Sequence, residues 1–366
     1  MPHKVNVQSL PEDIALRITS KLTLKEAART SVLSSVWKQA CVFHPNLYFG
    51  IETEPGGHAK GEEVCSDPRK RMLTISKFIE RVDAILKNHC GTQARAVILN
   101  LSPDRNPFAY DDNYAFPFQL FDGQNESYLH VLQLESVTLD SSPDFCGFAN
   151  LKMLDLHLVI LLQDLRQLLS KCCVLEWLSI QSLRQPAIWI DVTNTLKYML
   201  TGIPSILPNV ETMHVELLIR NEMSGFTWFP LKFISLKHLT MELTCWGNTK
   251  SVLQLAYLLE AAPLLEDLYF EMLGLGPISC PVEDVVDIMD LPHYHLKTVC
   301  ITRFCDNDGQ VELAKYILKN ASILEHLILK LGGGEGCTSR VYILHGRKEA
   351  KERLAPLARD GVLTIL

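Results

Sequence analysis

Residues 258–270, LLEAAPLLEDLYF, decide the fold because their pattern returns at two other places in the chain. LLSKCCVLEWLSI at 168–180 and ILKNASILEHLIL at 317–329 share the apolar pair, the small residue at the fifth place and the closing Leu-Glu-x-Leu-x-apolar. The order reads as a helix end, a short turn and a strand. Working outward, the strand part is an apolar triplet spaced L-x-x-L-x-L. It recurs at Leu129/Leu132/Leu134, Leu151/Leu154/Leu156, Leu175/Leu178/Ile180, Val210/Met213/Val215, Leu236/Leu239/Met241, Leu265/Leu268/Phe270, Leu296/Val299/Ile301 and Leu324/Leu327/Leu329. A triplet alone is weak in a chain that is 47% hydrophobic, so the longer match carries the argument.

Successive triplets begin 22, 24, 35, 26, 29, 31 and 28 residues apart. That is near the leucine-rich repeat period of about 20–29 residues, with insertions. One repeat cannot bury its own apolar face, so neighbours must stack to complete a core. The expected architecture is a solenoid.

Composition narrows the function. Leucine supplies 58 of 366 residues, yet no apolar run approaches the ~18 residues of a membrane span. A net charge of -7 and a pI near 6.0 argue against generic nucleic-acid binding, which draws on a basic domain or stripe. The opening MPHKVNVQSLPEDI has no apolar signal region, so the 11 cysteines are expected to be reduced thiols that behave as small hydrophobes. There is no CxxC pair, and neither Cys172-Cys173 nor Cys300 with Cys305 has zinc-ligand spacing. No metal or other cofactor is expected. LGGGEGCTSR at 331–340 lacks the G-K-[ST] of a phosphate loop, and no G-x-S-x-G or H-E-x-x-H is present. The expectation is a chain without catalysis of its own.

Residues 8–49 read as a compact helical unit. Ser9 with Glu12, and Thr23 with Glu26, have capping-box spacing. Leu10, Ile14, Ile18 and Leu22 form one apolar stripe, and Ala27, Val32, Leu33, Val36 and Trp37 supply a second and third short helix. Forty residues make a small core, so the unit is expected to lean on the rest of the chain or on a partner. The stretch ETEPGGHAKGEEVCSDPRKR at 52–71 is poor in large apolar residues and rich in Pro, Gly and charge, as a linker is. Its PRKR fits a solvated charge run better than a nuclear address.

LPEDIALRITSKLTLKEAARTSVLSSVWKQACVFHPNLYF resembles an F-box, and the remainder is similar to plant-type F-box proteins with leucine-rich repeats and a C-terminal FBD segment. The late LKTVCITRF and VELAKYILKNASILEHLIL carry the second part of the likeness. The implied fold is α+β: a three-helix F-box over 8–49, a linker over 50–72, an irregular leucine-rich repeat α/β solenoid of horseshoe form over 73–291, and an FBD-like segment over 292–366. Two departures stand out. Val36 precedes Trp37 where family members usually carry a basic residue, and the 35 residues from Leu175 to Val210, with RQPAIWIDVTNTLKYML inside them, leave room for a collapsed or missing repeat.

The resemblance implies a substrate-recognition subunit of a cullin-RING ubiquitin ligase, cytoplasmic or nuclear. The F-box would dock on the S-phase kinase-associated adaptor through Leu10, Pro11, Ile14, Ile18, Leu24, Val32, Leu33 and Trp37, with core and partner surface not yet separated among these. The alternatives are a repeat scaffold or ligand-binding protein with no ubiquitin role, and a hydrolase on an unrecognised fold.

Strand alternation sends the triplet residues inward and the intervening ones to the concave face. The outward set is Gln133, Glu135, Asp155, His157, Trp177, Gln181, His214, Glu216, His238, Glu242, Asp267, Tyr269, Glu271, His326 and Lys330. Six carboxylates against one lysine suggest a protein substrate of basic character, with Trp177 and Tyr269 as aromatic anchors. A solvated strand face without a partner is the competing expectation. The histidines sit in different repeats without a second ligand at metal spacing, so structural or surface roles are expected.

Overall fold

The structure, a computed structural model, describes residues 10–50, 68–89, 94–101, 114–121, 128–142, 145–162, 165–182, 202–219, 232–245, 255–273, 292–305, 308–332 and 340–366. The chain divides into two compact units, residues 1–175 with 182–186 and residues 176–181 with 187–366.

The first unit opens with three short helices, α1 (Glu12–Thr19), α2 (Leu24–Thr30) and α3 (Ser35–Val42). Pro11 stands at the cap of α1, and Ser9 lies outside the described residues. The expected box at α2 is present: the Thr23 N–H donates to Glu26 Oε2 at 2.9 Å and the Glu26 N–H to Thr23 Oγ1 at 3.3 Å. Each contact satisfies a backbone donor that the first turn leaves orphaned.

The sheet begins earlier than the triplets suggested. Residues at the end of the F-box-like segment form β1 (Asn46–Gly50), which pairs in parallel with β2 (Ala96–Asn100). Between them runs α4 (Pro68–Asn88). That helix takes in the PRKR of the stretch read as a linker, whose residues 51–67 lie outside the described ones. β2 pairs with β4 (Val131–Glu135), and β4 with β6 (Met153–His157), every register parallel. A second, small parallel sheet joins β3 (Tyr114–Ala115), β5 (Val137–Leu139) and β7 (Ile160–Leu161). Ser136 and Leu158 link the two sheets with φ of 59 and 52 degrees, a left-handed conformation that non-glycine residues rarely adopt. Phe116, Phe118, Phe121, Phe145 and Phe148 pack as a chain of ring contacts, with centroids 5.0 to 6.1 Å apart. The helix α5 (Leu165–Leu169) ends this unit with Leu165, Leu168 and Leu169 buried.

The second unit is one parallel sheet in the order β8 (Trp177–Gln181), β9 (Thr212–Ile219), β10 (His238–Cys245), β11 (Asp267–Leu273), β12 (Thr298–Phe304), β13 (His326–Leu331) and β14 (Leu363–Ile365). Parallel neighbours need a return path, and helices provide several: α6 (Ile203–Ile206) before β9, α7 (Leu255–Ala261) before β11, α8 (Asp308–Asn320) before β13, and α9 (Arg340–Glu349) before β14. Their apolar faces, such as Leu255, Leu258 and Leu259 of α7 and Val311, Ala314 and Ile317 of α8, are buried. β8 pairs directly with β9, Leu178 opposite Met213. The ladder is therefore continuous across the long interval, whose residues 183–201 lie outside the described ones.

All the residues of the eight triplets are buried. The leucine-rich repeats, the parallel sheet and the mixed helix and strand content are as expected. The cysteines follow suit in part: Cys172 and Cys300 are buried and Cys146 and Cys173 exposed, all as free thiols. Burial pushes the Cys172 thiol up to about 12, far from the thiolate that redox or metal chemistry needs.

Candidate functional site

The first surface is helical. Trp37, only 2% exposed, packs on Ala15 and Ala40, with Leu10, Leu16 and Val36 partly buried against them. Among residues whose core or surface role the sequence left open, Trp37 falls in the core of the unit. The buried side of α1 is Ala15 and Thr19, small residues that let α3 approach. Its larger residues lie elsewhere, Ile18 exposed and Ile14 half-buried. Val32 is 84% exposed and Leu33 is exposed beside it, with Pro11 exposed and Leu10 and Leu24 half-buried. Val36 is tied to the core, which explains how an apolar residue is accommodated at a place where a basic one was expected.

The unit also leans on the chain that follows. His44 is buried, with Nε2 3.1 Å from the Leu22 carbonyl and Nδ1 2.7 Å from that of Asn46. The His89 Nε2–H donates to the His44 carbonyl at 2.8 Å. These contacts join the loop after α1, the start of β1 and the end of α4. Burial lowers the His89 pKa from its ordinary 6.5, outweighing the hydrogen bond to the His44 carbonyl.

The second surface is the outward face of the strands. In the first unit Gln133 donates to Asp155 at 3.4 Å, and His157 Nδ1 lies 3.3 Å from Glu135. In the second unit the Gln181 amide donates to Ser179 Oγ and to His214 Nδ1, both at 3.1 Å. That fixes the His214 proton on Nε2, which donates to Glu242 at 3.2 Å. His238 Nδ1 donates to Asp267 at 2.8 Å, and Arg303 stands 2.7 Å from Glu271. The six carboxylates therefore do not face a single lysine. Several have a histidine beside them as a hydrogen-bond partner, and Arg303 adds a cation next to Glu271, so the face carries one cation more than expected.

Arg303 was missed. Alternation along VCITRF puts Arg303 on the inward side with Val299 and Ile301, where an arginine does not survive burial. The structure resolves the conflict with a register shift between Ile301 and Phe304 and a φ of 53 degrees at Arg303. Phe304 takes the core position and Arg303 pairs with Glu271. An arginine at an inward place was the available signal. Thr240 and Thr302 were missed as well. With Glu242, Tyr269 and Glu271 they line a shallow cavity of about 340 Å³ on β10–β12. Tyr269 is exposed there, while Trp177, the other expected anchor, is half-buried and His326 and Lys330 stand exposed on β13.

Among the described residues no cluster of His, Cys, Asp or Glu could hold a metal, and no helix is long and apolar enough to cross a membrane.

The profile of the family described as At1g61320/AtMIF1, LRR domain, matches residues 74–187 and 181–354. F-box/FBD/LRR-repeat protein At1g13570 of Arabidopsis thaliana is 21% identical over 87% of this chain and 89% of its own length. The chain belongs to the plant-type F-box/leucine-rich repeat/FBD family. Two further Arabidopsis thaliana relatives match shorter parts. FBD-associated F-box protein At5g56370 is 28% identical over 47% of this chain and 42% of its own length. F-box/LRR-repeat protein At4g14096 is 38% identical over 22% and 15%. For this plant-type F-box/leucine-rich repeat/FBD chain, the two surfaces just described are the places where binding has to be sought.

Proposed function

We propose that the chain is the substrate-recognition subunit of an SCF-type cullin-RING E3 ubiquitin ligase. Its F-box docks on the S-phase kinase-associated adaptor, and its repeats hold a protein substrate. The observation that carries this is the division of labour in residues 10–43. Ala15, Trp37 and Ala40 satisfy the core, while Ile18, Val32 and Leu33 are left outside it. An 84% exposed valine beside an exposed leucine makes no contribution to this chain's own packing, and covering it on a partner stabilises the complex. Leu10, Ile14 and Leu24, half-buried, and Pro11, exposed, belong to the same helical unit. Trp37 contributes by holding α3 in place.

Substrate recognition belongs on the outward strand face, with the cavity around Tyr269 as its centre and Glu242 and Glu271 as its charged rim. Residues 292–366, the FBD-like end, extend the same sheet. The chain itself makes and breaks no bonds. It raises the effective concentration of substrate lysines near a ubiquitin-charged enzyme elsewhere in the complex. The setting is cytoplasmic, nuclear or both.

The test is co-purification of the full chain with the adaptor, wild type against Val32→Asp. The expected result is capture by the wild type and loss of at least tenfold in the variant, with an unchanged melting temperature. Capture by neither would transfer the chain to the scaffold alternative, and equal capture by both would move adaptor docking off Val32.

A further inference from the structure

Ahead of β9 to β13 in the second unit, one residue before the paired register, stands a charged side chain. Along β9 to β13 these are Glu211, Lys237, Glu266, Lys297 and Glu325. Their backbones are locked in line. The N–H of Lys237 donates to the Glu211 carbonyl, Glu266 to Lys237, Lys297 to Glu266 and Glu325 to Lys297, each at 2.8 Å. Before β14 the equivalent place is Val362, and Arg359, three residues earlier, reaches the Leu324 carbonyl with its guanidinium at 2.9 Å. The edge therefore alternates in sign over five places from Glu211 to Glu325, with the acid Glu176 before β8 at one end and the base Arg359 beyond the other. Two lateral pairs form within it, Lys237 with Glu211 at 3.1 Å and Lys297 with Glu266 at 2.5 Å. Their side chains are still 33 to 51% exposed.

Beside this edge runs an apolar row that the fold does not use. Two or three residues earlier in the same turns lie Ile234, Leu264, Tyr294 and Ile323, all exposed, with Ile234 at 59% and Tyr294 at 64%. Turns that carry a large apolar residue to solvent in four consecutive repeats make a contiguous strip, since neighbouring strands are about 4.8 Å apart.

We propose that this edge is a two-fold interface with a second copy of the chain. The argument is charge complementarity. An alternating row of charges matches its own reverse about an axis that passes between an acid and the base beside it. Laid antiparallel about an axis between Glu266 and Lys297, it sets Glu266 against Lys297 of the second copy, Lys237 against Glu325, and Glu211 against Arg359. The same axis sets Leu264 against Tyr294 and Ile234 against Ile323. A closed, self-complementary contact of this kind is what two-fold dimers require. Four apolar side chains in a single row make a contact small beside the roughly 800 Å² per partner of a standard interface. The dimer is accordingly weak, forming in the micromolar range and loosening with salt.

The test uses the full chain in sedimentation equilibrium and light scattering from 1 to about 100 μM, concentrations that bracket a weak contact. Wild type is expected to pass from monomer to dimer. Lys237→Glu sets acid against acid twice per dimer and weakens association about tenfold, and Glu325→Lys sets base against base with the same effect. Mixed in equal amounts, the two variants restore one natural and one inverted pair, so heterodimers regain wild-type strength. Melting temperatures of both variants should match wild type. A wild type that stays monomeric throughout overturns the proposal, as does a dimer indifferent to either reversal or a mixture that fails to recover. Recovery on mixing cannot come from lateral pairing within one chain, because Lys237 and Glu325 lie three strands apart.

Discussion

At the scale of single residues, the pH dependence of stability rests on buried imidazoles. His89 and His293 both have their pKa lowered from 6.5, in each case chiefly by burial. His293 sits 3.3 Å from the Tyr316 hydroxyl and edge-on to its ring. His89 Nδ1 is buried without a hydrogen-bond partner, so protonating it would place a new donor in a dry pocket at a cost of about 1–3 kcal/mol. A base with a depressed folded pKa binds protons more readily when unfolded. Its contribution to stability is present above pH 6.5 and is lost as the pH falls through the folded value. Melting temperature is therefore expected to drop between pH 7 and pH 5, and His89→Gln should flatten that drop. An unchanged slope in the variant would assign the acid sensitivity elsewhere.

At the scale of elements, the strands were legible and their ends were not. Leu175/Leu178/Ile180 and its counterparts announce themselves because a buried strand side repeats every two residues and a repeat protein does this many times. The turns after β4, β6 and β8 are another matter. Ser136, Leu158 and Ser182 take φ of 59, 52 and 49 degrees without the glycine or asparagine that would signal it. Neighbouring strands impose the conformation. Helix α1 misled in a different way, since the Ile14 and Ile18 spacing marks an apolar stripe but does not say who covers it. Small residues, Ala15 and Thr19, take the inner side. The two faces can be separated by mutation. Trp37→Ala removes a ring that is 2% exposed and should cost about 3–5 kcal/mol of stability, lowering adaptor capture through unfolding. Val32→Asp should abolish capture with the melting curve in place. If both variants moved both readouts together, the distinction between core and docking face would fail.

At the scale of the whole molecule, stacking turns scattered residues into a surface that no local motif encodes. Glu216, Glu242 and Glu271 come from three strands and share one level of the sheet by register. Sequence alternation found these carboxylates but not their neighbours, because the His214 contact to Glu242 and the register shift that brings Arg303 to Glu271 depend on pairing distance and a backbone bulge. Arg303 tempers the negative charge, and it and His214 hold Glu271 and Glu242 in fixed positions beside Tyr269, which favours selecting one cationic side chain over attracting any basic protein. Display of a random peptide library against the full chain should enrich arginine or lysine at a single position flanked by apolar residues. Converting Glu216, Glu242 and Glu271 together to lysine should remove that enrichment and weaken selected peptides at least tenfold, since each buried contact to a carboxylate is replaced by like-charge repulsion. Tyr269→Ala should weaken the same peptides while leaving the preference for a cation intact. Enrichment that ignores charge in the wild type, or that survives the triple reversal, would move substrate recognition off this face of the sheet.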